Sequence, residues 1–327
     1  MKNITELIRK KARELFQEER IDMLLGYGQG SRPDRTIPLF IEEEDDCQQL
    51  IWNPFCSNTL PTYLFLNDYQ GLKKDQCDSY GIVVKGCDAR ALMRVLNDNL
   101  IERSQLEIIG VPCAGTIDPE KLARVAGDFE WDEIEVRPEE VVLKGLNEER
   151  MLTREQVVND KCLTCRTPNP ELYDYLVGDK INEIPVEDPY QEVEELEAKE
   201  VEERRHYWQQ QVERCIRCYA CRNVCPACNC RSCIFQEEDA VWLGKGVDMT
   251  ENLVFHLTRA YHVAGRCTDC GECERICPMD IPLQKLNRKI QKDIEDLFQL
   301  GPLASVEDLD QKPPLGSFAE EDPEEFL

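Results

Sequence analysis

Thirteen of the eighteen cysteines fall between residues 162 and 277, and their spacing points to metal chemistry. Cys215, Cys218, Cys221 and Cys225-Pro226 are followed by Cys267, Cys270, Cys273 and Cys277-Pro278, the same C-x2-C-x2-C-x3-C-P run written twice. In such a run three closely spaced thiolates take three corners of an iron–sulfur cubane and the fourth reaches a second cluster. The rule predicts two [4Fe-4S] clusters, one on Cys215, Cys218, Cys221 and Cys277, the other on Cys267, Cys270, Cys273 and Cys225. The chemistry is one-electron transfer, and crossed ligation would staple the two motifs together with their clusters within tunnelling distance. Zinc is the competing metal, but its sites typically take two CxxC pairs rather than matched four-cysteine runs with a trailing proline.

Other cysteines leave alternatives open. Cys225 also begins Cys225-Pro226-Ala227-Cys228-Asn229-Cys230-Arg231-Ser232-Cys233. Cys228, Cys230 and Cys233 could ligate a further cluster, or a zinc ion with a distant partner such as Cys56, or be spectators. Cys87 follows the apolar run Gly81 to Val84 and precedes Asp88, a suitable N-cap for a helix. Cys113 follows the run Leu106 to Val111. In a parallel sheet both would project from carboxyl ends of strands, where ligand crevices form. Cys162 and Cys165 supply a CxxC that could complete a four-thiolate set for a third cluster, although isolated cysteines are often small buried hydrophobes. Cys47 and Cys77, in polar surroundings, are expected to be structural or exposed thiols.

Gly26, Gly28 and Gly30 form a glycine-rich turn after the strand candidate Ile21 to Leu25, where backbone amides could meet a cofactor phosphate. Ser31 breaks the GxGxxG pattern, and the acidic residue expected further on falls ambiguously within Glu42 to Asp46. Lys85 and Gly86, ahead of the helix at Asp88, form a second candidate anion site. Both are equally readable as plain strand-to-helix turns. His206, His256 and His262 are too few and too scattered for a hydrolytic triad; His256 and His262 flank a helix ahead of the second motif and suit packing or cluster tuning. Arg214, Arg217, Arg222, Arg231, Arg259, Arg266 and Arg275 surround the cysteines, where they could offset cluster charge and raise reduction potentials, or simply aid solubility.

The elements that must position these residues suggest two folded parts. Lys2 to Glu19 has helical spacing of apolar residues. The strand candidates at 21–25, 81–84 and 106–111 alternate with helical patterns such as Ala89 to Ile101, which favours an α/β domain with a mostly parallel sheet. An acidic stretch around Pro185 to Glu203 separates it from the cysteine-dense part, which places the boundary near residue 195. The expected organisation is an α/β domain over 1–195, a dicluster domain over 196–300 and an acidic tail over 301–327. Val193 to Gln211 is expected to be an exposed helix, and Pro313 to Leu327 a mobile or partner-docked tail.

Of the 327 residues, 65 are Asp or Glu and 39 Lys or Arg, a net charge of −26. This excludes the basic footprint that nucleic-acid binding requires. No apolar run reaches eighteen residues and the first residues lack an apolar signal segment, so a cytoplasmic chain without a membrane span is expected. Cysteines in that reducing compartment favour metal over disulfides.

Forty-one residues separate Cys225 from Cys267 and include the helical stretch Glu251 to Val263; another, Leu283 to Leu300, follows the second motif. This long helical link resembles the α-helical ferredoxin of heterodisulfide reductase C-type subunits. Val83-Val84-Lys85-Gly86-Cys87-Asp88-Ala89-Arg90, Ile109-Gly110-Val111-Pro112-Cys113 and Lys161-Cys162-Leu163-Thr164-Cys165 together resemble the coenzyme F420 hydrogenase/dehydrogenase β-subunit family. With the two ferredoxin motifs behind them, the order is most similar to formate dehydrogenase β subunits, over roughly residues 20 to 300.

The resemblance implies flavin, FAD, together with clusters, and a role in passing electrons. Its expected partners are a formate dehydrogenase or hydrogenase catalytic subunit and a deazaflavin, ferredoxin or heterodisulfide reductase A-like flavoprotein module. It also implies that Cys87, Cys113, Cys162 and Cys165 are cluster positions. An alternative is that the chain itself reduces a small substrate or reacts with coenzyme F420 at its flavin.

Overall fold

The computed structural model describes residues 2–65, 78–182, 188–230, 233–237, 243–303 and 305–314. Cys77, Arg231 and most of the expected tail, 315–327, lie outside the described residues. The chain divides into two compact units, Met1–Pro189 and Tyr190–Leu327.

The first unit runs α1 (Lys2–Gln17), β1 (Met23–Gln29), β2 (Thr36–Ile41), β3 (Tyr80–Val84), α2 (Gly86–Asn97), β4 (Leu106–Gly110), α3 (Pro119–Ala126), β5 (Glu133–Val136), β6 (Glu140–Lys144), β7 (Glu149–Thr153), α4 (Arg154–Val157), α5 (Asp160–Leu163) and β8 (Tyr175–Leu176). The main sheet has the order β2-β1-β3-β4-β8; β1, β3, β4 and β8 are parallel and β2 is the antiparallel edge. The parallel-rich α/β sheet expected from alternating apolar runs is therefore present.

Amphipathic α1 lays Ile8, Ala12 and Leu15 on the sheet residues Leu24, Val83 and Ile109. Burying each large aliphatic side chain contributes roughly 1.5–3 kcal/mol. The helix ends at Glu19, whose φ of 53° lets Arg20 N–H reach the Leu15 carbonyl at 2.9 Å, a left-handed C-cap.

Two details differ from the sequence expectation. Gly26 and Gly28 are not a turn: both lie inside β1, paired with Leu39 and Ile37 of β2. A Cβ on Gly26 would come within 2.4 Å of a Leu50 methyl, and one on Gly28 within 3.0 Å of Leu39. These glycines make room for neighbouring leucines, and the strand runs on to Gln29. Asp88 is not the N-cap of α2 either. Lys85 caps it, and Asp88 at the third helical position accepts the Lys85 backbone N–H at 3.1 Å.

A second, antiparallel sheet β5-β6-β7 adds a separate core of Ile134, Val141, Leu143 and Leu152 against Leu122 of α3. Helix α3 is closed at both ends by its own sequence. Asp118 accepts Glu120 and Lys121 N–H at 2.8 and 3.1 Å, Pro119 takes the first turn, and Gly127 follows at φ 56°.

Among its described residues the second unit contains no strand. It runs α6 (Gln191–Glu197), α7 (Val201–Glu213), α8 (Ala220–Asn223), α9 (Met249–His262), α10 (Glu272–Arg275) and α11 (Leu283–Phe298). The single connector helix expected over 193–211 is two helices. Cys221 and Cys273 belong to its hydrophobic cluster, with Phe235, Phe255, Ile281 and Leu283. Among the described residues no helix is long and apolar enough to cross a membrane.

Candidate metal centres

The two cysteine motifs fold alike. Arg217 and Asp269, each preceding the second cysteine of its run, have φ of 57° and 50°; Tyr219 and Gly271, each following it, have 60° and 66°. Three of the four are not glycine, and such left-handed positions are disfavoured for L side chains. The same contortion recurs at equivalent positions of the two loops, and the short helices α8 and α10 start from it.

Cys215, Cys218 and Cys221 line one pocket together with Cys277, which comes from the other motif. Around the second motif, Cys225 is among the groups whose charge acts on both Cys267 and Cys273. The first motif's three sulfurs thus share a pocket with the last cysteine of the second motif. Burial pushes the Cys221 thiol up to about 11 and the Cys267 thiol up to about 12, the neighbouring cysteines adding to it. Several thiolates can share such a buried site only when positive charge compensates them.

Part of that charge is Arg259, 4% exposed, whose Nη2 donates to the Cys221 carbonyl at 3.1 Å and whose guanidinium lies near Cys273, Cys228, Cys225 and Cys221. Arg217 is buried and held by the carbonyls of Gly244, Gly246 and Glu251 at 2.8, 3.2 and 2.9 Å. The other described arginines of this group are engaged locally: Arg275 with Glu272, Arg214 with the Asp280 carbonyl, Arg222 with Asn223 and Arg266 with Asn229.

Of the remaining motif cysteines, Cys228 N–H donates to the Cys225 carbonyl at 3.0 Å. Cys230 is exposed and Cys233 half-buried. Cys56 is a buried thiol of the first unit, its sulfur accepting Asn53 N–H at 3.4 Å. Cys47, flanked by polar residues in the sequence, is the structural alternative: a core residue packed with Ile8 and Leu50.

The first unit holds a four-thiol pocket. The register Val84↔Gly110 sets the carboxyl ends of β3 and β4 side by side, and Cys87 and Cys113 follow them. The chain from α5 crosses over these ends. Cys113 N–H donates to the Pro168 carbonyl at 2.8 Å, and Thr116 N–H and hydroxyl contact the Cys162 sulfur at 3.5 and 3.4 Å. Cys87, Cys113, Cys162 and Cys165 consequently line one pocket, together with Lys85 and Lys161. Gly86 is where the crossing chain comes closest: a Cβ there would stand 1.7 Å from the Thr167 carbonyl oxygen. Gly86→Ala should therefore destabilise this unit by about 1–3 kcal/mol, the cost of overpacking. The check is the unfolding midpoint of the purified chain together with its iron content.

Three buried cations surround this pocket, two of which sequence reasoning missed. Lys161 is 7% exposed and donates to the Ser57 carbonyl at 2.7 Å. Arg154 is 4% exposed; Nη1 donates to the carbonyls of Ala114 and Arg137 at 2.6 and 3.0 Å, while Nε and Nη2 find no hydrogen-bond partner among the described residues. Burial pulls its pKa down, against the charge of Cys162 and Cys113. Only the place of Lys161 beside the CxxC hinted at its role; nothing local marks Arg154.

Lys85, proposed from sequence as an anion site, is 1% exposed and already engaged. Its ammonium donates to the Tyr27 hydroxyl, to the Asn58 carbonyl at 2.6 Å and to Asp88 Oδ2 at 2.8 Å. The Lys85 and Gly86 turn thus points its charge into the protein, and with Gly26 and Gly28 inside a strand neither glycine segment forms an open cradle of amides. At Gly30, a Cβ would lie 2.8 Å from the Arg35 carbonyl, with which its own N–H pairs at 2.9 Å.

Four soft thiolates with buried cations around them match the donor chemistry of an iron–sulfur cluster. Among the described residues no three His, Cys, Asp or Glu side chains gather as a single metal ion requires. A cubane bonds each thiolate to a different iron and spreads its ligands more widely than the four about one zinc.

Comparison with known proteins accords with this chemistry. Residues 211–281 match the 4Fe-4S dicluster domain. The F420-dependent formate dehydrogenase subunit beta of Methanocaldococcus jannaschii is 25% identical over 357 residues, covering 92% of this chain and 91% of that protein. The F420-dependent formate dehydrogenase 1 subunit beta of Methanococcus maripaludis is 24% identical over 362 residues, covering 90% and 89%. A chain of the F420-reducing [NiFe] hydrogenase complex from Methanosarcina barkeri matches with a TM-score of 0.38 and 13% identity, over 50% of this chain and 57% of that one.

Proposed function

Because this chain is a homologue of F420-dependent formate dehydrogenase beta subunits, alike over 92% and 90% of its length, we propose that it is the iron–sulfur electron-transfer subunit of a multisubunit cytoplasmic oxidoreductase complex. The observation that carries the reading is that cysteines from distant parts of the chain line two shared pockets, one in the dicluster unit and one in the α/β unit. Clusters supply one-electron transfer, and the protein sets their potentials through burial, charge and hydrogen bonding. Cys215, Cys218, Cys221 and Cys277 would hold one cluster, Cys267, Cys270, Cys273 and Cys225 the second, and Cys87, Cys113, Cys162 and Cys165 a third. The second unit, without a strand among its described residues and with α9 between the motifs and α11 after them, supports the helical ferredoxin arrangement of heterodisulfide reductase C-type subunits.

The partners in this reading are a formate dehydrogenase or hydrogenase catalytic subunit on one side and a flavin or ferredoxin-type module, such as a heterodisulfide reductase A-like flavoprotein, on the other. An FAD in the α/β unit would link two-electron hydride chemistry to this one-electron path. The relatives' dependence on F420 favours that version, in which the subunit itself reacts with the deazaflavin.

Anaerobic purification followed by iron, acid-labile sulfide and released-flavin analysis tests the reading. About twelve irons per chain are expected, four for each of three cubanes. About eight would remove the third cluster, and stoichiometric flavin would make the subunit a hydride-to-electron converter rather than a relay. Clusters that never reduce at accessible potentials would overturn electron transfer altogether.

A further inference from the structure

The inner face of α9 carries Asn252, Phe255, His256 and Arg259. Asn252 Nδ2 donates to the carbonyls of Val212, Cys215 and Val247 at 3.1, 2.8 and 3.1 Å. One turn beyond His256, Arg259 donates to the Cys221 carbonyl at 3.1 Å. The helix is thus pinned on both sides of His256 to backbone carbonyls of two cysteines of the first motif. Between these anchors the imidazole lines the pocket of Cys215, Cys218, Cys221 and Cys277, its ring 4.9 Å from that of Phe255 in an edge-on arrangement. It is 2% exposed, and neither ring nitrogen has a hydrogen-bond partner among the described residues.

Buried polar atoms are nearly always paired. Most of what the pocket offers besides hydrocarbon is sulfur. An imidazole carries at least one N–H in either protonation state. We propose that His256 donates this N–H to sulfur of the cluster held by Cys215, Cys218, Cys221 and Cys277, and so raises the reduction potential of that cluster alone.

Such a bond stabilises the more negatively charged reduced state. The second motif has no histidine in this position; there Asn287 Nδ2 approaches the Cys273 sulfur at 3.4 Å. His206 and His262 are exposed. His256 would therefore act on one cluster and Asn287 on the other, so that loss of the imidazole N–H shifts the first midpoint alone.

The proposal rests on the dicluster reading, and the experiment separates the two. The full chain is labelled with 15N-histidine, purified anaerobically, reduced with dithionite and studied by pulsed EPR, with iron and sulfide measured on the same sample. Imidazole 15N coupling is expected on one cluster signal, lost in His256→Leu and kept in His262→Leu. In redox titration His256→Leu should lower one midpoint and leave the other in place, and His256→Gln, which retains an N–H, should restore part of the shift. Cluster signals without 15N coupling in the unsubstituted chain would overturn the proposal even if His256→Leu fails to fold, as would unchanged midpoints in a cluster-replete His256→Leu. Absence of any cluster signal would overturn the dicluster reading itself, and the proposal with it.

Discussion

Cys277→Ser is expected to abolish the same cluster signal as Cys218→Ser, and Cys225→Ser the same signal as Cys270→Ser. The expectation follows from the pocket in which Cys277 of the second motif joins Cys215, Cys218 and Cys221 of the first, and from the charge coupling of Cys225 to Cys267 and Cys273. Serine is nearly isosteric with cysteine but is a hard, weakly acidic ligand, so each variant removes one soft corner without opening a cavity. Iron should fall by about four atoms per chain in each case, one cubane, with the other cluster retained. EPR of the four reduced variants decides the matter. If Cys277→Ser instead matched Cys270→Ser, each motif would hold its own cluster and the crossed assignment would fail. Because metal-binding free energy becomes folding free energy in such small domains, each variant should also unfold more readily around α8 to α10.

The second large effect is expected at Asp88, in the α/β unit. Its carboxylate accepts the Lys85 ammonium at 2.8 Å, the Tyr27 hydroxyl at 3.1 Å, and the backbone N–H groups of Leu60 and Lys85 at 3.2 and 3.1 Å. Both side chains of the ion pair are buried, at 2% and 0% exposure. Burial works against the Lys85 charge, but the Asp88 carboxylate and the nearby cysteines hold its pKa above the usual lysine range. Asp88→Ala leaves that ammonium buried without its anion and should cost about 3–5 kcal/mol, the penalty for breaking such a pair.

Denaturant unfolding followed by the fluorescence of Trp52 and Trp131, both of the first unit, measures it. A double variant, Lys85→Met with Asp88→Leu, should recover much of the loss, since removing both charges avoids the unpaired one. A loss below about 1 kcal/mol in Asp88→Ala would show that water reaches the pair and that it does not organise the turn carrying Cys87.

Much of the molecule was legible without coordinates, where one stretch of chain carries its own geometry. The two cysteine runs specify their ligand pattern because three thiols two residues apart can face one cluster from a single turn. The runs at 81–84 and 106–111, each followed by a helical pattern, specify parallel strands because consecutive βα units bury both faces of the sheet.

What required the tertiary structure depends on pairing between distant segments. Gly26 and Gly28 look like a turn in one dimension; only the leucines at positions 39 and 50 explain them as strand residues. Lys85 looks like an anion site until Asp88, Tyr27 and Asn58 close around it. Cys87 and Cys113 become neighbours of Cys162 and Cys165 only through the β3–β4 register and the chain crossing above it. Arg154 is an ordinary residue in the sequence, and His256 is marked there only by its place ahead of the second motif. Their unpaired, buried nitrogens arise from packing, which spacing along the chain does not encode.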